Sequence, residues 1–181
     1  MDISALIALL QQAAPGARIE QGSASDGLPT AVVDAAALVP VLTAVRDAAD
    51  LRFEVLAELT AIDYRPREPR YELIYLLISV AHRQRLRLKV MVPDAEPHVP
   101  TASGIWPSAN WLEREVWDMF GIVFDGHPDP RRLLMPEDWE GYPLRKDYPV
   151  QIRMKPRTTE AMQVTAEEFR ANLERDRLSR R

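Results

Sequence analysis

The sequence predicts an α/β (α+β) fold, with a mainly antiparallel sheet flanked by helices, followed by an extended irregular C-terminal arm with a short terminal helix. Three observations carry this. Apolar residues in the first third recur at helical spacing and then, over 72–92, at strand spacing. Ten of the 15 prolines fall between Pro93 and Pro156, so regular structure thins out in the second half. The length of 181 residues suits one domain plus a tail at roughly 150 residues per domain. The expected division is an α/β domain over 1–124 and an arm over 125–181.

Ile3, Leu6, Ile7 and Leu10 sit at i, i+3, i+4 and i+7, a helix stopped by Pro15-Gly16. Gly22 to Pro29 reads as a loop and Ala31-Val32-Val33 as a short strand. Leu38, Val41, Leu42 and Val45 place a second helix over 35–48, which Pro40 either opens or kinks. Phe53, Leu56, Leu59 and Ile62 fit a short helix or a bent strand. Glu72 to Val80 is apolar on both faces, as a central strand is. Arg83 to Val92 alternates, with Leu86, Leu88, Val90 and Val92 on one face and Arg83, Arg85, Arg87 and Lys89 on the other. The short link at Ala81-His82 makes this pair an antiparallel hairpin. Pro93 to Pro107 is a proline-rich connection. Trp111 to Phe120 reads as a helix ended by Gly121, and Ile122-Val123-Phe124 as a further strand. From Asp125 to Pro156 there is no periodicity. Thr165 and Glu168 form a capping-box pattern before Phe169 and Leu173.

Composition excludes several functions. With no cysteine there is no disulfide, no thiolate-ligated zinc and no iron–sulfur cluster on this chain. No apolar run approaches the roughly 20 residues of a spanning helix. Met1-Asp2-Ile3-Ser4 lacks a basic leader, so the expectation is a soluble, cytoplasmic protein. A net charge of −4 argues against nucleic-acid binding. Phosphate-binding glycine loops, H-E-x-x-H and G-x-S-x-G are all absent.

Four constellations could carry chemistry. The ladder Arg83, Arg85, Arg87 and Lys89 is either a docking face for an acidic partner or phosphate backbone, or a solvated strand face; the second is favoured. Glu115 and Asp118 share a helix face, and Arg114 can reach Asp118 at i+4. That pattern fits an acid/base pair or, preferred here, a salt-bridged helix surface with Glu113. His127, between Asp125 and Asp129, is either a general base or, preferred, a hydrogen-bonded turn histidine. His82 and His98 add no metal-ligand spacing. Trp106, Trp111, Trp117 and Trp139 lie close together in the proline-rich stretch, as core or as interface residues.

Trp106-Pro107-Ser108-Ala109-Asn110-Trp111-Leu112-Glu113-Arg114-Glu115-Val116-Trp117-Asp118-Met119-Phe120-Gly121-Ile122 is followed by Gly126-His127-Pro128-Asp129-Pro130-Arg131-Arg132-Leu133-Leu134-Met135-Pro136-Glu137-Asp138-Trp139-Glu140-Gly141 and Pro143-Leu144-Arg145-Lys146-Asp147-Tyr148-Pro149. This stretch closely resembles the NADH-quinone oxidoreductase C subunit, the thirty-kilodalton subunit family of respiratory complex I, in its bacterial form. A weaker likeness over Asp26 to Val92, including Leu59-Thr60-Ala61-Ile62-Asp63-Tyr64, extends it over most of the chain. Pro130 replaces the usual Leu, and Tyr142 stands where the family often has His.

The resemblance implies a structural subunit of the hydrophilic arm, peripheral on the cytoplasmic side of the cell inner membrane and attached to it only through the complex. It implies no catalytic residue, metal or cofactor on this chain, with FMN and iron–sulfur clusters on other subunits. Those subunits pass electrons from NADH to quinone with proton translocation. The expected partners are the large hydrogenase-like subunit of the quinone pocket and neighbouring iron–sulfur subunits. Trp139, Tyr142, Arg145 and Tyr148 are then candidate anchors ordering the arm on a partner. Glu113, Arg114, Glu115 and Asp118 would fix the helix by ion pairs, and Arg131 and Arg132 would clamp carboxylates. His127 belongs to the same motif. Rival readings are the related subunit of a membrane-bound hydrogenase or formate hydrogenlyase, a hydrolase using Glu115, Asp118 and His127, and a nucleic-acid binder.

Overall fold

A computed structural model describes residues 3–23, 25–149, 165 and 167–171. Contacts group Met1–Tyr148 into one compact unit and Pro149–Arg181 into a second. In the first, helix α1 (Ile3–Ala13) leads through β1 (Ile19–Gln21) and β2 (Thr30–Val33) to a 3-10 turn (Ala35–Ala37) and α2 (Leu38–Asp47). Then come β3 (Val55–Asp63), β4 (Tyr71–Ser79), β5 (Gln84–Val92), β6 (His98–Pro100), α3 (Ala109–Phe120) and β7 (Val123–Asp125). In the second unit, the amide of Glu168 donates to Thr165 Oγ1 and the amide of Thr165 donates to Glu168 Oε2, the capping box expected there. Leu173, expected to follow on the same helix, lies outside the described residues.

The main sheet has the order β1-β2-β5-β4-β3. Three of its four pairings are antiparallel; β2 and β5 run parallel. The hairpin forms as expected, with Tyr71 opposite Val92 and Ser79 opposite Gln84. Its inward rows, Tyr71, Leu73, Tyr75 and Leu77 from β4 and Leu86, Leu88, Val90 and Val92 from β5, are fully buried. Leu6 and Leu10 of α1, Leu38, Val41, Leu42 and Val45 of α2, and Val116, Met119 and Phe120 of α3 join the same core.

Pro40 falls in the first turn of α2, where its missing N–H would have had no intrahelical acceptor, so it opens the helix without kinking it. The ambiguous stretch after Phe53 is a bent strand. A bulge between Leu56 and Glu58 inserts one residue into β3, so Leu56 and Leu59, three apart, both face the core. Helical spacing arose here from an interrupted period of two. The proline-rich connection hides β6, which pairs with β7 in a separate two-stranded parallel sheet.

Helix α3 ends where expected. Gly121 is left-handed at φ 74°, and its amide donates to the Trp117 carbonyl at 2.8 Å. A Cβ at this position would lie 2.5 Å from the Tyr142 ring and 2.6 Å from the Arg145 guanidinium. Gly121 therefore supplies both the conformation and the space for the segment that returns over α3. We expect Gly121→Ala to lower the stability of the purified chain by about 1–3 kcal/mol, read as a shifted urea midpoint. An unchanged midpoint would show that the returning segment does not press on this residue.

Candidate functional site, a polar network under the irregular segment

Residues 126–148 have no helix or strand, yet they belong to the compact unit, which therefore runs past the expected boundary at 124/125. The reason is a set of buried charged side chains that bind this segment's backbone. Two elements supply them: α3, and the turn joining β3 to β4.

Asp63 ends β3 and Arg70 immediately precedes β4, so the pairing of Asp63 with Tyr71 brings the two side chains together. Arg70 is buried and donates to both oxygens of Asp63, at 3.0 and 2.8 Å. It also donates to Asp94 at 3.0 Å and to Asp147 at 2.6 Å. Asp63 in turn accepts from the amides of Arg65 and Lys146, at 2.9 and 2.8 Å. The Arg70 guanidinium holds the Asp63 carboxyl far below the usual carboxylate range, against the opposing effect of burial. Four chain segments thus meet on one cation.

On α3 the expected salt-bridged surface is instead a buried polar face. Glu113 and Asp118 are fully buried and Arg114 nearly so, while Glu115 is exposed. Asp118 does not pair with Arg114. Its Oδ2 accepts from three successive amides, Leu133, Leu134 and Met135, at 3.1, 2.8 and 2.8 Å, an anion nest closed around a side chain of the same protein. Its Oδ1 accepts from Arg132. Burial pushes this carboxyl up, but the amides of Met135, Leu134 and Leu133 with Arg132 outweigh it and hold the group below its ordinary value.

The two arginines expected to clamp carboxylates divide the task. Arg132 does so on Asp118 and also donates to the carbonyls of Trp139 and Gly141, at 2.9 and 3.2 Å. Arg131 is exposed and pairs with Asp129. Arg114 donates to the carbonyls of Arg131 and Arg132, at 2.9 and 3.0 Å. Arg145 donates to the Phe120 carbonyl and lies over the rings of Tyr142 (4.5 Å) and Tyr71 (5.6 Å). Trp139 stacks on Tyr148 at 6.4 Å, and the Tyr148 hydroxyl donates to the Glu140 carbonyl. The expected partner anchors Trp139, Tyr142, Arg145 and Tyr148 thus engage this chain itself.

His127 is a turn histidine, the preferred reading. Its Nε2 donates to the Asn110 carbonyl at 3.0 Å and its Nδ1 accepts from the Asp129 amide at 3.0 Å, which fixes the tautomer. Both nitrogens are committed, Asp118 sits in its nest and Glu115 faces outward, so the hydrolase constellation is not assembled. The cationic ladder is also partly spent: Arg87 pairs with Asp26 at 2.5 Å and Lys89 with Glu72 at 3.0 Å. Of the tryptophans, Trp106 is buried with its Nε1 donating to the Phe53 carbonyl, Trp117 and Trp139 are half-buried, and Trp111 is exposed. Arg70, Asp63 and Asp94 escaped the sequence reading, although Asp63 and Asp147 both lie in stretches that carry the family likeness.

Among the described residues, Glu113 is the one buried carboxyl without an arginine or lysine in contact. It accepts from the Ala102 amide at 2.6 Å and the Thr101 hydroxyl at 2.5 Å, with His127 Nε2 3.8 Å away. Burial pushes its pKa up to about 7, and the two hydrogen bonds only partly counter this. A carboxyl with a raised folded-state pKa costs stability as pH climbs from its unfolded value through its folded one. Glu113→Gln removes that cost. Its stability relative to wild type should therefore rise by about 2–3 kcal/mol between pH 5 and pH 8, measured by urea unfolding at each pH. A difference that does not vary with pH would contradict this.

The chain matches the family model described as "Respiratory-chain NADH dehydrogenase, 30 Kd subunit" over residues 31–153. It is 54% identical to the NADH-quinone oxidoreductase C subunit of Roseiflexus sp. over 62% of this chain and 65% of that one. It is 46% identical to the C subunit of Roseiflexus castenholzii over 83% of this chain and 86% of that one. A Methylococcus capsulatus protein named as the C/D subunit of NADH-quinone oxidoreductase is 43% identical over 74% of this chain, which is 24% of that longer one. Two solved structures share the fold. One is a trypsin-resistant fragment of Nqo5, with TM-score 0.50 and 34% identity, covering 68% of this chain and 98% of that one. The other is from the membrane-bound sulfane sulfur reductase, an archaeal respiratory membrane complex, with TM-score 0.67 and 26% identity, covering 81% and 85%. This chain therefore belongs to the 30 kDa subunit family of the respiratory-chain NADH dehydrogenase, in its bacterial form.

Proposed function

We propose that this chain is a cofactor-free structural subunit in the hydrophilic arm of a proton-translocating NADH:quinone oxidoreductase. The observation that carries this reading is how the ionisable groups of the motif block are used. Asp118, Arg114, Arg132, Arg145 and His127 bind the backbone of this same chain. They shape an irregular surface, and among the described residues Glu115 and Asp118 do not come together with His127 as an acid/base set. Electron transfer would then be the work of other subunits carrying FMN and iron–sulfur clusters. The absence of any cysteine supports that division, since the chain offers no thiolate for a cluster.

The relatives named as C subunits support assembly into such an enzyme. The Methylococcus protein, in which the matching stretch is part of a longer chain named C/D, supports a large subunit held directly beside this one. Our reading is that this neighbour is the hydrogenase-like subunit of the quinone pocket, with iron–sulfur subunits nearby. No helix among the described residues is long and apolar enough to cross a membrane. Attachment would therefore be peripheral, through the complex, on the cytoplasmic side of the inner membrane. The likeness to the sulfane sulfur reductase chain favours one second reading, the equivalent subunit of a related hydrogenase-type membrane complex. The higher identity to the NADH-quinone oxidoreductase relatives ranks it below the first.

A tagged copy expressed in the native cell, recovered from mildly solubilised membranes, should bring down a large hydrogenase-like subunit, iron–sulfur subunits and NADH:quinone reductase activity. The purified chain alone should hold neither flavin nor iron. Hydrogenase or sulfur-reductase subunits in the recovered complex would support the second reading, and recovery of the chain by itself would overturn both.

A further inference from the structure

Strand β4 is apolar on both faces, but only one of them is closed. Toward the core it presents Tyr71, Leu73, Tyr75 and Leu77, with no exposure. On the opposite face Ile74, Leu76 and Ile78 are only half-buried. The pairing register places them in the middle of three rows. Ile74 lies between Thr60 and Lys89, Leu76 between Glu58 and Arg87, and Ile78 between Val55 and Arg85. The outer strands alternate as strands with one wet face do; the middle strand does not. The result is an apolar stripe flanked by Arg85, Arg87 and Lys89 on β5 and by Glu58 and Thr60 on β3, where Val55 and Ile62 extend the exposed apolar surface, the layout of an interaction surface.

The charges along the rim are unequal. Arg87 and Lys89 are neutralised by Asp26 and Glu72. Arg85 on one side and Glu58 on the other are exposed and have no ion-pair partner among the described residues. Neighbouring strands lie about 4.8 Å apart, so these two rows are about 10 Å apart, the width of one α-helix. The stripe from Ile74 to Ile78 is about 14 Å long, matching roughly nine helical residues. The backbone groups of β4 are spent in its ladders with β3 and β5, so an extended segment would find nothing to pair with. A helix arrives with its backbone already satisfied.

We infer that this face seats one amphipathic helix of a partner subunit, laid along β4. Its apolar stripe covers Ile74, Leu76 and Ile78, an acidic side chain reaches Arg85, and a basic one reaches Glu58. The inference deepens the proposed function and rests on the chain being part of a larger complex.

The test places the photoreactive residue p-benzoylphenylalanine at position 76 of the full tagged chain in its native cell. The assembled complex is purified and irradiated, and the crosslinked peptide is identified by mass spectrometry. The expected product joins position 76 to a helical segment of another subunit carrying acidic residues along one side. Arg85→Glu should cut the yield several-fold, with the thermal midpoint of the purified chain unchanged. A complex that co-purifies intact but gives no crosslink overturns this inference and leaves the proposed function standing. So does a crosslink to residues 149–181 of the same chain or to a second copy of it. If no other subunit co-purifies, the proposed function fails and this inference fails with it.

Discussion

The fold of Met1–Tyr148 depends on one buried cation. Arg70 sits where β4 enters the sheet and is shared by Asp63, Asp94 and Asp147, which come from the end of β3, the exit of β5 and the last residues of the compact unit. A buried ion pair adds little net stability over an apolar pair of similar volume, because desolvation offsets the attraction. Breaking one is another matter, costing about 3–5 kcal/mol, because the remaining charge is stranded. Arg70 therefore acts mainly as a registration point. It sets where the ends of three strands meet and where residues 142–148 must return.

Helix α3 repeats the same logic with the backbone of the returning segment as the partner. Asp118 organises the amides of Leu133 to Met135, Arg132 and Arg114 gather carbonyls, and Arg145 closes on the end of the helix. Ordering an irregular chain costs roughly 1–2 kcal/mol per residue. Buried, charge-assisted hydrogen bonds are among the few contacts that can offset this without periodic structure, each contributing about 1.5–3 kcal/mol. The segment expected to need a partner for its order has that order built in. A subunit that builds a rigid irregular surface in this way gives its partners a fixed shape to assemble on.

What was legible from sequence follows from range and period. The hairpin, α3 and its Gly121 stop were readable because their signals are local and regular. The bulge in β3 disguised a strand as a possible helix by shifting its period at Ala57. β6 was invisible because it has three residues and lies between Pro97 and Pro107. Arg70 could not be read as a hub, since its partners lie 7, 24 and 77 residues away. The contacts within the motif block depend on tertiary path and not on spacing along the helix. Spacing suggested that Arg114 would meet Asp118 along the helix, whereas Arg132 reaches it from the returning segment and Arg114 turns to carbonyls. Only the tertiary path of 126–148 decides between those arrangements.

Residues 126–148 are ordered by this chain's own charged side chains, and amide hydrogen exchange on the purified full chain, with no other subunit present, tests this most directly. The amides of Leu133, Leu134, Met135 and Lys146, which donate to Asp118 and Asp63, should exchange as slowly as those of the β4–β5 hairpin or within about a hundredfold of them. Exchange of these four amides at the rate of an unstructured peptide, while the hairpin stays protected, would contradict it and return the ordering of the segment to a partner.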